Sequence, residues 1–198
     1  MTNEEIIKTS LHNQERAHDL LQSIGMMNIF EDEGVDAHIV GSLRMGLLFN
    51  HLDIDLHVYS DAVTVKDSFK VMSRIAENES VVKMECRNLL YTEEACMEWH
   101  AWVRDELGDI WQIDMIHIVK GSRYDGFFER MADRIKEALT DETRLAILRL
   151  KSETPADVHI MGVEYYQAVL RDGVRTWADF KDWRKLHDAT DGIMEWMP

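Results

Sequence analysis

Residues 51–58 read His-Leu-Asp-Ile-Asp-Leu-His-Val. Side chains of a strand alternate between faces. Leu52, Ile54, Leu56 and Val58 therefore share one face, and His51, Asp53, Asp55 and His57 share the other. Two carboxylates at alternate positions are separated by about 7 Å of rise. They repel unless a cation lies between them. Mg²⁺ prefers carboxylate oxygen and is commonly shared between one or two carboxylates and a substrate's phosphates. A metal pair about 3.5–4 Å apart can activate a nucleophile and stabilise a leaving group in an in-line displacement. Standing alone, the same pattern also describes an ordinary half-exposed strand with a polar outer face.

Two further features bear on that choice. Val40-Gly41-Ser42 closes a short apolar run ten residues before Asp53 and leads toward a helical turn at Leu43. Glycine lets the backbone approach a ligand closely, and a Ser hydroxyl beside free N–H groups suits a phosphate. A plain turn with an N-cap would read the same way. Asp114, in WQIDMIHIV, falls with Gln112 opposite the apolar face of Trp111, Ile113 and Met115. A carboxylate there needs a cation or hydrogen bonds; a hydrogen-bonded structural Asp is the other reading. Arg44, two residues past Ser42, is a candidate phosphate contact or a solvated helix residue.

Together, Gly41-Ser42, Asp53-Ile54-Asp55-Leu56 and a later carboxylate strand resemble the polymerase-β-type nucleotidyltransferase superfamily, with the two-part motif covering residues 37–58. The resemblance implies a mixed sheet flanked by helices. It implies two Mg²⁺ ions on Asp53, Asp55 and Asp114, and nucleoside triphosphate phosphates on Gly41 and Ser42, with Arg44 beside them. The implied reaction is attack of an acceptor hydroxyl on the α-phosphorus, with pyrophosphate leaving. The spacing between Asp55 and Asp114 is long for the family, so Glu85 and Glu98 compete for the third place. Leu52 stands where many members carry a small hydroxyl residue.

These residues need elements to hold them. Thr2 with Glu5 has a capping-box shape, and Ile6 through Ile24 keep helical spacing until Gly25. Strands are expected over 37–40, 52–59, 81–90, 97–106 and 110–119, the last two joined by Leu107-Gly108-Asp109. A helix is expected over 62–78, with Val65, Phe69, Met72 and Ile75 on one face. Past Gly121, residues 127–139, 141–151, 156–172 and 176–188 all read as helices, interrupted at Pro155. The expected fold is α+β: a mixed or antiparallel sheet of about four to five strands flanked by helices, with a C-terminal helical part. Residues 1–121 form the catalytic domain in this reading, and residues 122–198 pack on it.

Bulk properties narrow the function. Net charge is −15, which makes long nucleic acid a poor partner and favours ligands that are cationic or bring cations. The two cysteines, Cys86 and Cys96, have no metal spacing and read as free thiols of a reducing compartment. The N-terminus has no signal-peptide pattern, and no apolar run approaches a membrane span. The expected protein is a cytoplasmic, Mg-dependent and nucleotide-binding transferase, with ATP among its donors and a small-molecule or protein acceptor. The alternative is a non-catalytic, antitoxin-like binding or regulatory protein of the same fold. Lys120, Lys136 and Lys151 are further candidate phosphate contacts, His100 and Arg104 candidate substrate contacts. Trp177 and Trp183 read as helix core or as a stacking surface for a base.

Overall fold

The computed structural model describes residues 1–187 and 196–198. Asp188, the last residue of the expected C-terminal helix, lies outside them. The chain opens with α1 (Asn3–Ser23), capped by Thr2, whose hydroxyl accepts from the Glu5 N–H while the Glu5 carboxylate accepts from the Thr2 N–H. A short α2 (Met26–Asp32) follows. Then come β1 (Asp36–Ile39), α3 (Gly41–Met45), β2 (Asp53–Ser60), α4 (Val65–Ala76), β3 (Val81–Leu89), β4 (Cys96–Arg104) and β5 (Ile110–Val119). The rest is helical: α5 (Phe127–Ala138), α6 (Asp141–Glu153), α7 (Gly162–Tyr166) running into a π-helical turn at Gln167–Arg171, and α8 (Trp177–Leu186).

The five strands form one sheet in the order β1-β2-β5-β4-β3. β2 and β5 are parallel, and the other neighbours are antiparallel. A parallel pair needs a crossover connection. The long interval between Asp55 and Asp114 supplies it as α4 followed by the β3–β4 hairpin. The β4–β5 turn is held by Asp105, whose Oδ1 accepts from the N–H groups of Leu107 and Asp109 at 3.0 and 2.9 Å. Arg16 of α1 pairs with Asp105 and Asp109 and so ties this turn to the helix layer.

One face of the sheet is apolar. Ile54, Leu56 and Val58 of β2, with Trp111, Ile113 and Met115 of β5, pack against Ala17, Leu20, Phe30, Met72 and Ile75 from α1, α2 and α4. Of the four residues expected on one face of α4, Met72 and Ile75 are buried, while Phe69 is 49% and Val65 40% exposed. Phe69 instead sets its ring edge-on to Trp99, with centroids 4.7 Å apart. A second core joins α5, α6, α7 and α8, and it draws in Ile6, Met45, Leu47 and Phe49 from the first half of the chain. Trp183 is buried there and Trp177 packs against it, so both serve as core. The expected helix over 156–172 begins only at Gly162; residues 155–161 are irregular, and His159, Ile160 and Met161 line the cleft described next. No helix among the described residues is long and apolar enough to cross a membrane.

Candidate active site

The other face of the sheet lies at the base of a cleft of about 1130 Å³ that reaches up to α6 and α7. Asp53, Asp55 and Asp114 all line it, as do Gly41 and Ser42. The register places Asp55 directly beside Asp114, and Asp53 beside Gln112. Glu98 also lines the cleft, next to Ile116 in the register and one step further along the strands. Glu85 sits on the edge strand, exposed and bonded to Lys83 at 2.6 Å. Of the three competing carboxylates, Asp114 alone is the direct neighbour of Asp55.

Gly41 explains why the two halves of the motif belong together. The Val40 N–H donates to the Asp55 carbonyl at 2.9 Å, which pins the turn to β2. Gly41 has φ +61°, and a Cβ built there would sit 1.8 Å from Asp55 Oδ2. Only a residue without a side chain fits both the dihedral and the contact. Ser42 follows, mostly buried, its carbonyl accepting from the Leu47 N–H at 2.8 Å. The helix at this point is a short one, starting at Gly41 rather than at Leu43.

The electrostatics are those of crowded carboxylates. Burial raises the Asp53 carboxyl above its ordinary range, although Lys151 and His51 oppose this. Burial, together with the charges of Asp53 and Asp114, pushes Asp55 up to about 7. The Asp53 carboxylate is also steadied by its own backbone N–H. Asp114 is held differently. Its Oδ1 accepts from His100 Nδ1 at 2.5 Å and from Gln112 Nε2 at 2.8 Å. His100 Nε2 in turn donates to Glu98 at 2.8 Å. Burial works against the His100 imidazolium, but the hydrogen bonds to Asp114 and Glu98 prevail and raise its pKa.

Lys151 is the cation that the structure selects from the three candidate lysines. Its ammonium donates to the Leu47 carbonyl at 2.8 Å, close enough to Asp53 and Asp55 to feel both charges. Burial lowers it to about 8 in spite of them. It lies 5.9 and 5.6 Å from the ring centroids of Tyr165 and Tyr166, which also line the cleft. Lys136 is exposed, Lys120 faces Asp36 at 4.0 Å, and neither lines the cleft. Lys151 had a sequence signal: it stands three and four residues after Leu148 and Ile147, in the apolar stripe of α6. Tyr166 and His159 had none, because nothing local marks the end of α7 or the irregular stretch before it as a cleft wall.

Arg44 is committed elsewhere. Its Nε and Nη2 donate to the two oxygens of Asp133 on α5 at 2.8 and 2.9 Å, and its Nη1 to the Ile39 carbonyl at 3.1 Å. It is not among the cleft-lining residues. Arg104 likewise stays outside, near the β4–β5 turn.

The donor set fits a hard divalent cation: carboxylate oxygens on one face, next to a turn suited to phosphate. Among the described residues, no three His, Cys, Asp or Glu side chains already converge as a closed metal cage. Asp114 has one oxygen drawn to His100 and Gln112, and Lys151 is the resident positive charge near the other two.

No family model and no curated protein matches the chain. Solved structures do. The structure described as Cid1, an RNA terminal uridylyl transferase, aligns with a TM-score of 0.58 and 12% identity, over 85% of this chain and 51% of its own. A Cid1 poly(U) polymerase with MgGTP bound aligns at 0.54 and 16% identity, over 85% and 56%. The non-canonical poly(A) polymerase GLD-2, in complex with GLD-3, aligns at 0.52 and 12%, over 85% and 53%. The chain thus spans about half the length of these structures. These are RNA-modifying polymerases and transferases, which runs against the expectation from net charge that long nucleic acid is a poor partner: the fold does not by itself exclude RNA. The chain has the fold of these nucleotidyltransferases, as its resemblance to the polymerase-β-type superfamily implied.

Proposed function

We propose that this protein is a Mg²⁺-dependent nucleotidyltransferase that moves a nucleoside monophosphate from a triphosphate, ATP among the candidates, to a hydroxyl of a small-molecule or protein acceptor. The observation that carries the reading is the Gly41 contact: the Gly-Ser turn is fitted against Asp55, and Asp55 lies beside Asp53 and Asp114 on one cleft face. A non-catalytic, antitoxin-like protein of this fold would have no use for three carboxylates crowded on one cleft face, where burial and their mutual repulsion raise Asp55.

Two Mg²⁺ ions on Asp53, Asp55 and Asp114 would supply charge neutralisation and activation of the attacking oxygen. The chain's own residues do the rest. The Gly41-Ser42 backbone receives the phosphates, and the Lys151 ammonium offsets the charge that develops on the leaving pyrophosphate. Asp114, steadied by His100 and Gln112, accepts the acceptor's proton. A bond forms between the acceptor oxygen and the α-phosphorus. The bond from that phosphorus to the β-bridging oxygen breaks, and pyrophosphate leaves with the electron pair. The free thiols of Cys86 and Cys96 accord with a cytoplasmic setting.

Thermal-shift titration with ATP, GTP, CTP and UTP, with and without Mg²⁺, tests the reading. At least one triphosphate raises the melting temperature only with Mg²⁺, and Asp53→Asn/Asp55→Asn abolishes the rise. No shift with any triphosphate would sink the proposal.

A further inference from the structure

The strand order ends on β3, and among the described residues no backbone pairs with its outer side. An unpaired strand edge is a template for another chain, and folded proteins guard such edges with bulges and charges. β3 carries both, but the bulge does not reach along its whole length. The irregularity in its pairing with β4 falls between Val81 and Lys83. From Lys83 to Leu89 the register is unbroken, and Cys86 stands at the middle of that regular stretch.

The charges on this stretch have mixed sign. Lys83, Glu85 and Arg87 alternate along the cleft side of β3, with side chains 53%, 53% and 66% exposed. Lys83 is bonded to Glu85 at 2.6 Å, and Arg87 to Glu98 of β4 at 3.0 Å. Like charges directly opposite each other on antiparallel strands are destabilising, and opposite charges stabilise. A second copy of β3, related by a two-fold axis at Glu85, would set Glu85 against Glu85 and Lys83 against Arg87. An axis at Cys86 instead sets Glu85 opposite the second copy's Arg87. Lys83, Glu85, the second copy's Arg87 and the second copy's Glu98 then form a row of alternating sign, and both existing ion pairs are kept. An axis at Met84 also matches Lys83 with Glu85, but it draws the irregular Val81–Lys83 stretch into the ladder. The charges thus repel most registers and fit one.

The opposite side of the same edge is apolar. Met84 and Cys86 are only partly buried against the first core. Phe69, set against Trp99, the register partner of Cys86, is half exposed, and so is Val82. A two-fold axis normal to the sheet keeps this side apolar in both copies. It also sets the two Cys86 residues directly opposite, with Cα atoms about 4.5–5.5 Å apart, within reach of a disulfide.

We infer that β3 is the contact between two copies of this chain. Lys83–Leu89 pairs antiparallel with itself about a two-fold axis at Cys86, which joins the two sheets into one and opens both clefts on the same face.

The test is sedimentation velocity of the full chain over a concentration series with thiols reduced. The mass rises from one chain to two. Glu85→Arg and Arg87→Glu each weaken the dimer at least about tenfold, since each sets like charges across the seam. The double swap Glu85→Arg/Arg87→Glu restores it. Both residues are exposed, and circular dichroism checks that the variants keep the fold. Oxidation with copper–phenanthroline then links two chains through Cys86: Cys96→Ser still gives the linked dimer, and Cys86→Ser does not. A monomer at every concentration, a dimer indifferent to the single charge reversals, a double swap no better than the single variants, or a linked dimer that survives Cys86→Ser would overturn the inference.

Discussion

Among the described glycines, Gly41 leaves a side chain the least room, because of Asp55. Gly41→Ala would force a left-handed backbone on a residue with a Cβ, at about 1–2 kcal/mol, and would drive that Cβ into the Asp55 carboxylate. A displacement of this size at a reacting group costs on the order of 10²-fold in rate. Transfer by Gly41→Ala should fall by at least that factor, while circular dichroism shows the fold retained. Asp55 also sets a pH dependence. Its folded pKa, raised to about 7 by burial and by Asp53 and Asp114, means that it holds a proton at pH 6. A metal must displace that proton. Mg²⁺-dependent nucleotide affinity should therefore climb from pH 6 to pH 8 and flatten above; a flat profile across that range would show that Asp55 takes no part. Both carboxylates and the glycine were legible in the sequence, because alternation on β2 and the Gly-Ser spacing are local. Lys151 stood out from the other two candidate lysines only by its place in the apolar stripe of α6, since its reach into the cleft depends on how α6 packs across the sheet.

At the scale of elements, the register between β2 and β5 sets Asp114, and not Glu85 or Glu98, directly beside Asp55. The sequence showed that β5 had an acidic face but not which strand it would lie beside, because pairing across sixty residues has no local marker. Arg44 illustrates the same limit. Its guanidinium binds Asp133 and joins α3 to α5, a contact that two distant segments make only once folded. Its pKa is raised, first by that hydrogen bond. Asp133 is half exposed, so Arg44→Ala should cost less than about 1 kcal/mol in denaturant unfolding and leave the nucleotide shift intact. On the opposite face, Ser68 binds Trp99 and His117 inside the sheet–helix layer: Trp99 Nε1 donates to its hydroxyl at 2.9 Å, and His117 Nδ1 lies 3.3 Å away. Ser68→Ala strands those groups and should cost about 1–3 kcal/mol. Burial holds His117 neutral, its pKa lowered to about 4 from an ordinary 6.5. The unfolded chain then binds the extra proton between those values, so this contribution to stability is full above pH 6.5 and is lost as pH falls toward 4. His57 acts in the same direction, and Asp55, whose folded pKa is raised, in the opposite one. Unfolding midpoints of wild type and His117→Gln should therefore converge as pH falls from 7 to 5, because only wild type loses this contribution.

Across the whole molecule, the second core is what closes the cleft. Ile6, Met45, Leu47 and Phe49 enter it from the first half of the chain, so the helical part is built onto the sheet domain rather than beside it. Leu47 is both a core residue and the carbonyl that holds Lys151. Lys151→Met should keep that packing but weaken Mg²⁺–nucleotide binding about 10- to 100-fold, the worth of a hydrogen bond to a charged group, as read by calorimetry. The fold class was legible from element order alone; the cleft was not, because it is made by segments within 40–57, 87–118, 124–135 and 151–166 meeting in space. The central claim is that Asp53 and Asp55 bind metal together with nucleotide. Its most direct test is a Mn²⁺ titration by water-proton relaxation, with and without a non-hydrolysable ATP analogue, on wild type and Asp53→Asn/Asp55→Asn. Wild type should bind Mn²⁺ at least tenfold more tightly with the analogue present, and the double variant should lose that gain. Equal Mn²⁺ binding by the two proteins would contradict the assignment of this face as an active site.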